Sequence, residues 1–446
     1  MEWHKLINDK RLGLEHVDSH GKGGQRTDFR RDYDRLVFSS PFRRLQNKTQ
    51  VFPLPGSIFV HNRLTHSLEV SSVGKSMADS IATELRTTRY AGCDWVNQLY
   101  HLGDIVSAAC LAHDLGNPPF GHSGEKTIST FFSEGEGAYL RDRFSERQWS
   151  DFTNFEGNAN ALRTLTHRFN GRRPGGFAMT YSTLASIVKY PYSSDLAGEK
   201  GKFGFFLTEQ DTFLRIAREL ELRQLDAPEG SLRFARHPLV YIVEAADDIC
   251  YEVMDLEDAA KLKVLTSDEV IATLIGFFPE ERVAQIQKTM ARVDDPHEKI
   301  SYLRSCVIGC LVESCARVFI DNERAILDGE FNGCLLDHIP DPERSAFQRL
   351  TALSWNKIYC AKDVVDIELA GNSIISFLLS KLVHAVVNPH LNYSRLLLNQ
   401  VPRQYDVNAP DLYGRIQAVL DHVSAMTDVY ALDLYRKLNG MSLPAV

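Results

Sequence analysis

The amino-acid sequence predicts an all-α protein made of long helices with short β-hairpins. Apolar residues recur at helical spacing through most of the chain, and only two short stretches alternate in the way that strands do. With 44% hydrophobic and 24% charged residues among 446, the composition is that of a folded globular protein. No apolar run approaches the roughly 20 residues of a membrane span, and the N-terminus lacks a signal-peptide pattern. We therefore expect no membrane partner.

Helical periodicity is clearest in five segments, and turn residues mark the two hairpins. The first hairpin pairs residues 50–52 with 58–60 across Pro55-Gly56, and the second is a ribbon over residues 202–208. The order of these elements divides the chain into a basic N-terminal arm (1–40), a core that carries the chemistry (41–265) and a C-terminal helical region that completes the fold and its oligomer contacts (266–446). The predicted helices cover residues 64–85, 104–114, 239–258, 302–327 and 374–387.

Charge is unevenly distributed along the chain. Between Lys22 and Lys48 eight basic residues face three acidic ones, a local charge of +5 within a chain of net charge −8. Such a segment favours an anionic ligand, although a solvated arm or a contact between subunits gives the same pattern. The eight cysteines form no C-x-x-C pair, which predicts reduced thiols and a cytoplasmic protein.

The residues most indicative of chemistry are His113 and Asp114. They follow a helix of small apolar residues, and Gly116 with Pro118-Pro119 prevents that helix from continuing. The pair is therefore expected in the last turn of a buried helix.

Further candidate ligands lie on two other predicted helices, His66 on the helix over 64–85 and Asp247 on the helix over 239–258. Asp247, Tyr251 and Asp255 are spaced i, i+4 and i+8 and share one face of an otherwise apolar helix. Buried carboxylates need a partner, and a divalent cation is one. Mixed nitrogen and oxygen donors suit Mn, Fe, Co or Ni, and Mg less strongly, better than a closed zinc site. The candidate ligands are His66, His113, Asp114 and Asp247.

The order His…His-Asp…Asp on helices resembles the HD-domain phosphohydrolase superfamily. Longer strings between residues 20 and 265 resemble its bacterial dGTPase family, whose members hydrolyse deoxynucleoside triphosphates (dNTPs). Those strings are FRRLQNKTQVFP at 42–53, RLTHS at 63–67, HDLGNPPFGHSGE at 113–125, FEGNA at 155–159 and EAADDICY at 244–251.

The resemblance implies an HD-domain helical bundle and a metal-dependent reaction. The four candidate ligands align with the family's metal ligands, with Asp248 as a rival to Asp247, and the metal would be Mn²⁺, Mg²⁺ or another transition metal. His122 and Glu125 align with the catalytic pair, the role of His122 as acid or base staying open. The implied products are deoxynucleoside and tripolyphosphate, formed by water attack at the α-phosphorus.

Substrate contacts and partners are also implied by the resemblance. Gln50 matches the residue that binds the sugar 3′-hydroxyl, with Gln46 as its rival, and the other contacts are Arg63, Lys189, Tyr190, Tyr251 and Asp255. Family members assemble as oligomers, often hexamers, and single-stranded DNA or a dNTP remains open as an effector. Two alternatives also remain: an HD phosphohydrolase for another nucleotide, such as a monophosphate or guanosine polyphosphate, and a nucleotide- or DNA-binding regulator with a vestigial site.

Overall fold

The computed structural model describes residues 1–16, 26–53 and 59–442 and confirms the all-α prediction. Strand pairing within these residues is limited to isolated bridges, one of which joins Thr49 to Asn62. The turn of the first predicted hairpin falls on residues 54–58, outside the described part of the chain. The ribbon predicted over 202–208 is wrong: the segment forms one parallel bridge, between Phe205 and Ser193, and then turns into a 3₁₀ helix at Leu207–Glu209.

The first 265 residues contain the helices that position the candidate site. Most begin at a side-chain cap: Asn62 and Thr65 form a capping box at the start of α4, and His237 caps α11 ahead of Pro238. These helices are α1 (Trp3–Leu6), α2 (Asp28–Val37), α3 (Ser40–Arg44), α4 (Arg63–Thr87), α5 (Leu102–Ala112), α6 (Gly121–Ser133), α7 (Glu146–Thr153), α8 (Gly157–Thr166), α9 (Tyr181–Ser186), α10 (Gln210–Glu219) and α11 (Pro238–Lys261).

The C-terminal region is helical as well. It consists of α12 (Ser267–Ile275), α13 (Glu280–Met290), α14 (Pro296–Asp321), α15 (Glu323–Leu327), α16 (Glu343–Leu353), α17 (Lys362–Val387), α18 (Asn392–Leu398), α19 (Leu412–Ser424) and α20 (Asp428–Leu438). Short 3₁₀ helices occur at Leu45–Asn47, Val96–His101, Ala138–Arg143, Ser194–Leu196 and Leu335–His338, and a π-helical turn at Ser354–Ile358.

Two hydrophobic cores hold these helices together. In the first, α4 packs against α5, α11 and α14, and Trp3 from the N-terminal segment is buried there. In the second, aromatic residues near α6 and α7 pack against α17 and α19, so that the 41–265 and 266–446 regions share a core. The division at residues 40 and 265 remains a prediction.

One helix, α17, is long and apolar enough to cross a membrane by length and composition, so the expectation that no segment reaches that threshold is too strict. Half of its most apolar window is buried inside the protein. It packs against α6, α18, α19 and α20, which is the environment of a core helix.

Candidate active site

Four predicted ligands meet where α4, α5 and α11 pack together. His66 comes from the first turn of α4, His113 and Asp114 from the end of α5, and Asp247 from the middle of α11. The Nε2 atom of His66 lies 2.9 Å from Asp247 Oδ1, and that of His113 lies 3.4 Å from the same oxygen. Ligand atoms of His66, His113 and Asp114 all lie within 4.8 Å of one another. The chain thus brings together all four residues.

The His113 ring is oriented so that one nitrogen is left for a ligand. Its Nδ1–H donates to the Cys110 carbonyl at 2.6 Å, one turn back along α5, so the neutral ring has its lone pair on Nε2. That Nε2 atom is buried and has no hydrogen-bond partner among the described residues. A buried polar atom without a partner is costly, and a bound cation would satisfy it. The donor set therefore fits a divalent metal ion.

Asp114 is held from two sides. Arg63 Nη1 donates to Asp114 Oδ2 at 2.8 Å, and Asn117 Nδ2 donates to Asp114 Oδ1 at 2.6 Å. Although burial raises it, the pKa of Asp114 stays below its usual value because Arg63, His113 and His66 favour the carboxylate. Asp114 is thus oriented and ionised.

Even without a bound cation, the charged forms of His113 and Asp247 stabilise each other. Burial lowers the pKa of His113, but the carboxylates of Asp114 and Asp247 outweigh it and raise that pKa to about 9. Burial likewise raises the pKa of Asp247, yet His113 and His66 hold it well below its usual value. A cation bound at this centre would therefore compete with a proton for His113.

His122 and Glu125 form a second pair in the first turn of α6. His122 Nδ1 donates to Glu125 Oε2 at 3.2 Å, while Glu125 Oε1 accepts from the Gly157 backbone N–H at 3.0 Å. The hydrogen bond and the charge of Glu125 raise the pKa of His122. The His122 side chain is 71% exposed and that of Glu125 10%, so a buried carboxylate orients an accessible imidazole. Lys202 Nζ lies 3.8 Å from Glu125 Oε2.

Arg63 lies between the cluster of four candidate metal ligands and the turn that leads to the His122–Glu125 pair. Phe120 and Gly121 both have positive φ, at 62° and 59°, and this tight turn starts α6 beside Arg63. A Cβ atom on Gly121 would lie 2.4 Å from Arg63 Nη2, so only glycine permits the approach. Arg63 Nε is buried, and no residue in the described ranges accepts a hydrogen bond from it. The guanidinium therefore binds Asp114 and retains a free donor beside the turn that leads to His122.

Three of the predicted substrate residues lie on nearby segments. The Tyr251 ring is 6.4 Å from the His66 ring between centroids, which places it beside the candidate metal centre. Asp255, one turn further along α11, accepts a hydrogen bond from Tyr359 Oη at 3.0 Å. Gln50 Oε1 is buried and accepts no hydrogen bond from the residues that the structure describes.

The remaining two predicted substrate residues follow α9. Burial lowers the pKa of Lys189, but the carboxylates of Asp248 and Glu244 outweigh it and raise that pKa. Lys189 Nζ lies 3.2 Å from Glu244 Oε1, so it faces α11 next to Asp247. The ring of Tyr190 has Lys189 Nζ 5.9 Å from its centroid.

Sequence reasoning gave no role to several residues that support this site. Asn117 bonds to Asp114, and the glycine of the FEGNA string, Gly157, bonds to Glu125. A Cβ at Gly157 would lie 2.0 Å from Asn117 Oδ1 and 2.3 Å from Glu125 Oε1. Asn117 and Gly157 lie in two of the strings that carry the family resemblance, so the resemblance could have pointed to them. Lys48, buried in the segment before Gln50, donates to the Asn117 carbonyl and lies in the FRRLQNKTQVFP string, so the same signal was available for it.

The fold and this centre define an HD-domain hydrolase. Residues 63–190 match the family described as HD domain, and residues 338–437 match the phosphohydrolase-associated domain. Proteins named deoxyguanosinetriphosphate triphosphohydrolase-like, from Pseudomonas aeruginosa and Synechocystis sp., are 38% and 36% identical; the alignments cover 100% and 99% of this chain and 100% of each relative. Deoxyguanosinetriphosphate triphosphohydrolase from Serratia proteamaculans is 30% identical over 92% of this chain and 93% of its own length.

The chain belongs to the dGTPase-like family of HD-domain phosphohydrolases. The resemblance stated from the sequence strings is thereby confirmed. The C-terminal region, where the sequence gave no motif, matches as well, since the phosphohydrolase-associated domain covers most of its second half. The protein is accordingly a phosphohydrolase of this family with a His/Asp cluster that could hold a metal ion.

Proposed function

We propose that this protein hydrolyses deoxynucleoside triphosphates to deoxynucleoside and tripolyphosphate, with water attacking the α-phosphorus. The observation that carries the proposal is the convergence of His66, His113, Asp114 and Asp247 around a buried, unpartnered imidazole nitrogen, with an accessible histidine–glutamate pair one short turn further along the chain. dGTP is the first substrate to test because the relatives carry it in their names.

The four-residue cluster is the proposed metal site, with Mn²⁺, Mg²⁺ or another transition metal as its ion. Two imidazoles and two carboxylates supply mixed donors and balance a divalent charge. When bound, the ion would polarise a phosphoryl oxygen and lower the pKa of a water molecule. Arg63 and Asn117 keep Asp114 in place for this role, and the Nδ1 bond to Cys110 keeps His113 Nε2 directed at the centre.

His122 is the proposed proton-transfer residue. Because its Nδ1–H is committed to Glu125, its Nε2 exchanges the proton, either with the attacking water or with the departing 5′-oxygen. Glu125 raises the pKa of His122, which keeps a proton available near neutral pH. Gly157 fixes the other oxygen of Glu125, so the pair is preorganised before substrate arrives.

The proposed substrate contacts follow from polar atoms that the protein leaves free. Arg63 Nε and Gln50 Oε1 are buried without partners, the first suited to a phosphate oxygen and the second to a sugar hydroxyl. Lys189 is the proposed cation near the triphosphate, and the Tyr251 ring lies beside the proposed metal site. Tyr190 and Asp255 complete the proposed contacts. A cytoplasmic location, a hexameric or other homo-oligomer and regulation by DNA or a dNTP are further parts of the proposal.

Product analysis tests this assignment. Purified protein with Mn²⁺ or Mg²⁺ is given each dNTP and GTP, alone and mixed, and the products are separated by chromatography. Deoxynucleoside with tripolyphosphate supports the proposal. Monophosphate with pyrophosphate contradicts attack that releases the intact triphosphate chain. Turnover confined to monophosphates or guanosine polyphosphates favours the alternative hydrolase, and turnover only in mixtures indicates a dNTP effector. No turnover with any metal favours a regulator.

A further inference from the structure

A small, largely enclosed cavity lies behind the candidate active site, between the Lys48 segment and α19. Its volume is about 30 Å³, and three cationic side chains line it, Arg44, Lys48 and Arg172. The cavity wall contains one carboxylate, that of Asp421, whose two oxygens accept from Arg163 Nε at 2.7 Å and Nη2 at 2.8 Å. The wall therefore carries an excess of positive charge.

Several polar groups in this wall have no partner. Within the described part of the chain, Arg172 Nη1 and Ser424 Oγ are buried and make no hydrogen bond, and Ser424 is only 3% exposed. Across the described ranges 1–16, 26–53 and 59–442, neither Arg44 nor Arg172 forms a salt bridge. Like charges around one cavity repel each other, and a buried hydroxyl without a partner is costly. An anion that accepts from these groups removes both penalties.

The cavity size and donor geometry narrow the class of anion. The space open to atom centres, about 30 Å³, accommodates a small ion of a few atoms and leaves no room for a nucleoside. Guanidinium groups donate paired N–H bonds that match the oxygens of phosphate. We propose that the cavity is a binding site for one free inorganic phosphate ion, separate from the substrate site. This inference does not rest on the proposed reaction.

Lys48 links this phosphate site to the candidate metal centre. Its Nζ donates to the Ser424 carbonyl at 2.7 Å and to the Asn117 carbonyl, and the Asn117 side chain holds Asp114. Burial, with the charge on Arg44, lowers the pKa of Lys48 to about 7, whereas a neighbouring anion favours the charged amine. Phosphate in the cavity therefore stabilises the segment that follows the metal ligands.

The test measures phosphate binding to the full-length, metal-free chain. Inorganic phosphate is compared with potassium chloride at equal ionic strength, by calorimetric titration and thermal unfolding. Phosphate at about a hundred times its Kd should raise the Tm by several degrees in the unaltered chain. The variants Arg44→Gln and Arg172→Gln should each weaken binding roughly tenfold or more, since each loses charge-assisted hydrogen bonds.

The control is Arg173→Gln, the same charge change at the next residue, which lines an open groove rather than the cavity. It should keep the phosphate response. An equal loss in Arg173→Gln would show that phosphate binds through general surface charge and would overturn the site. So would a response that survives in both Arg44→Gln and Arg172→Gln, or a chloride response equal to that of phosphate. Hydrogen exchange provides a second measurement: phosphate should slow exchange over residues 115–120 in the unaltered chain and not in Arg172→Gln.

Discussion

The structure predicts that metal binding and proton transfer are separable by two substitutions, Asp114→Asn and His122→Ala. Asp114 is a buried candidate ligand held by Arg63 and Asn117, whereas the His122 side chain is 71% exposed and bonds to Glu125. We expect Asp114→Asn to lose both metal and activity, and His122→Ala to lose activity alone.

The expected magnitudes follow from these environments. In Asp114→Asn the buried Arg63 guanidinium loses its carboxylate partner, a change that costs about 3–5 kcal/mol of folding stability. In His122→Ala an exposed side chain is removed, so the change in stability is expected within about 0.5 kcal/mol. Loss of general acid–base catalysis lowers kcat by about 10²–10⁴-fold.

The assay determines metal content by elemental analysis, stability by urea unfolding and turnover from the released nucleoside. The conservative Asp114→Glu variant is a matched control because it keeps the charge. Equal metal loss in the Asp114→Asn and His122→Ala variants would refute the division of roles. So would a His122→Ala enzyme with normal kcat, since the proton would then be transferred by another group.

Three further substitutions test the supports of the site. Glu125→Gln removes the carboxylate that raises the pKa of His122, so the His122-dependent limb of the kcat–pH profile should move to lower pH; an unmoved limb contradicts this. Gly157→Ala should lower kcat about a hundredfold, because the added Cβ atom displaces the side chains of Asn117 and Glu125. Unchanged kinetics would show that these side chains are not displaced. Arg163→Leu removes the guanidinium that pairs with the buried carboxylates of Asp421 and Glu209, of which Glu209 keeps His167. It should destabilise the chain by about 3–5 kcal/mol in urea unfolding, against an expectation near zero if solvent screens the pair.

The long helices were predictable where one face is continuously apolar. The helix predicted over 239–258 is Pro238–Lys261, and the one over 64–85 is Arg63–Thr87. The segment 302–327 is instead two helices that break at Asn322. The predicted start of α17 at 374 is wrong by twelve residues because its first turns are largely exposed and carry no apolar stripe: Leu369 is 62% exposed there.

The candidate ligands were predictable because each occupies a recognisable local context: the end of an apolar helix for His113 and Asp114, and a polar face on a buried helix for Asp247. Supporting contacts between distant parts of the chain were not predictable from these local contexts. The bond from Lys48 to Ser424 joins residues 376 positions apart. Periodicity and local motifs carry no information about such pairs.

One buried carboxylate shows why the C-terminal half matters to a site whose proposed ligands all lie before residue 265. Asp428, at the start of α20, accepts from the Thr49 backbone N–H at 2.7 Å and from the Phe120 backbone N–H at 2.9 Å. Thr49 precedes Gln50, and Phe120 forms the turn that starts α6 and presents His122. Backbone groups of both segments are thus fixed by a helix more than 300 residues away. The proposed substrate and proton-transfer residues therefore depend on α20 for their relative position, although it contributes no proposed catalytic group.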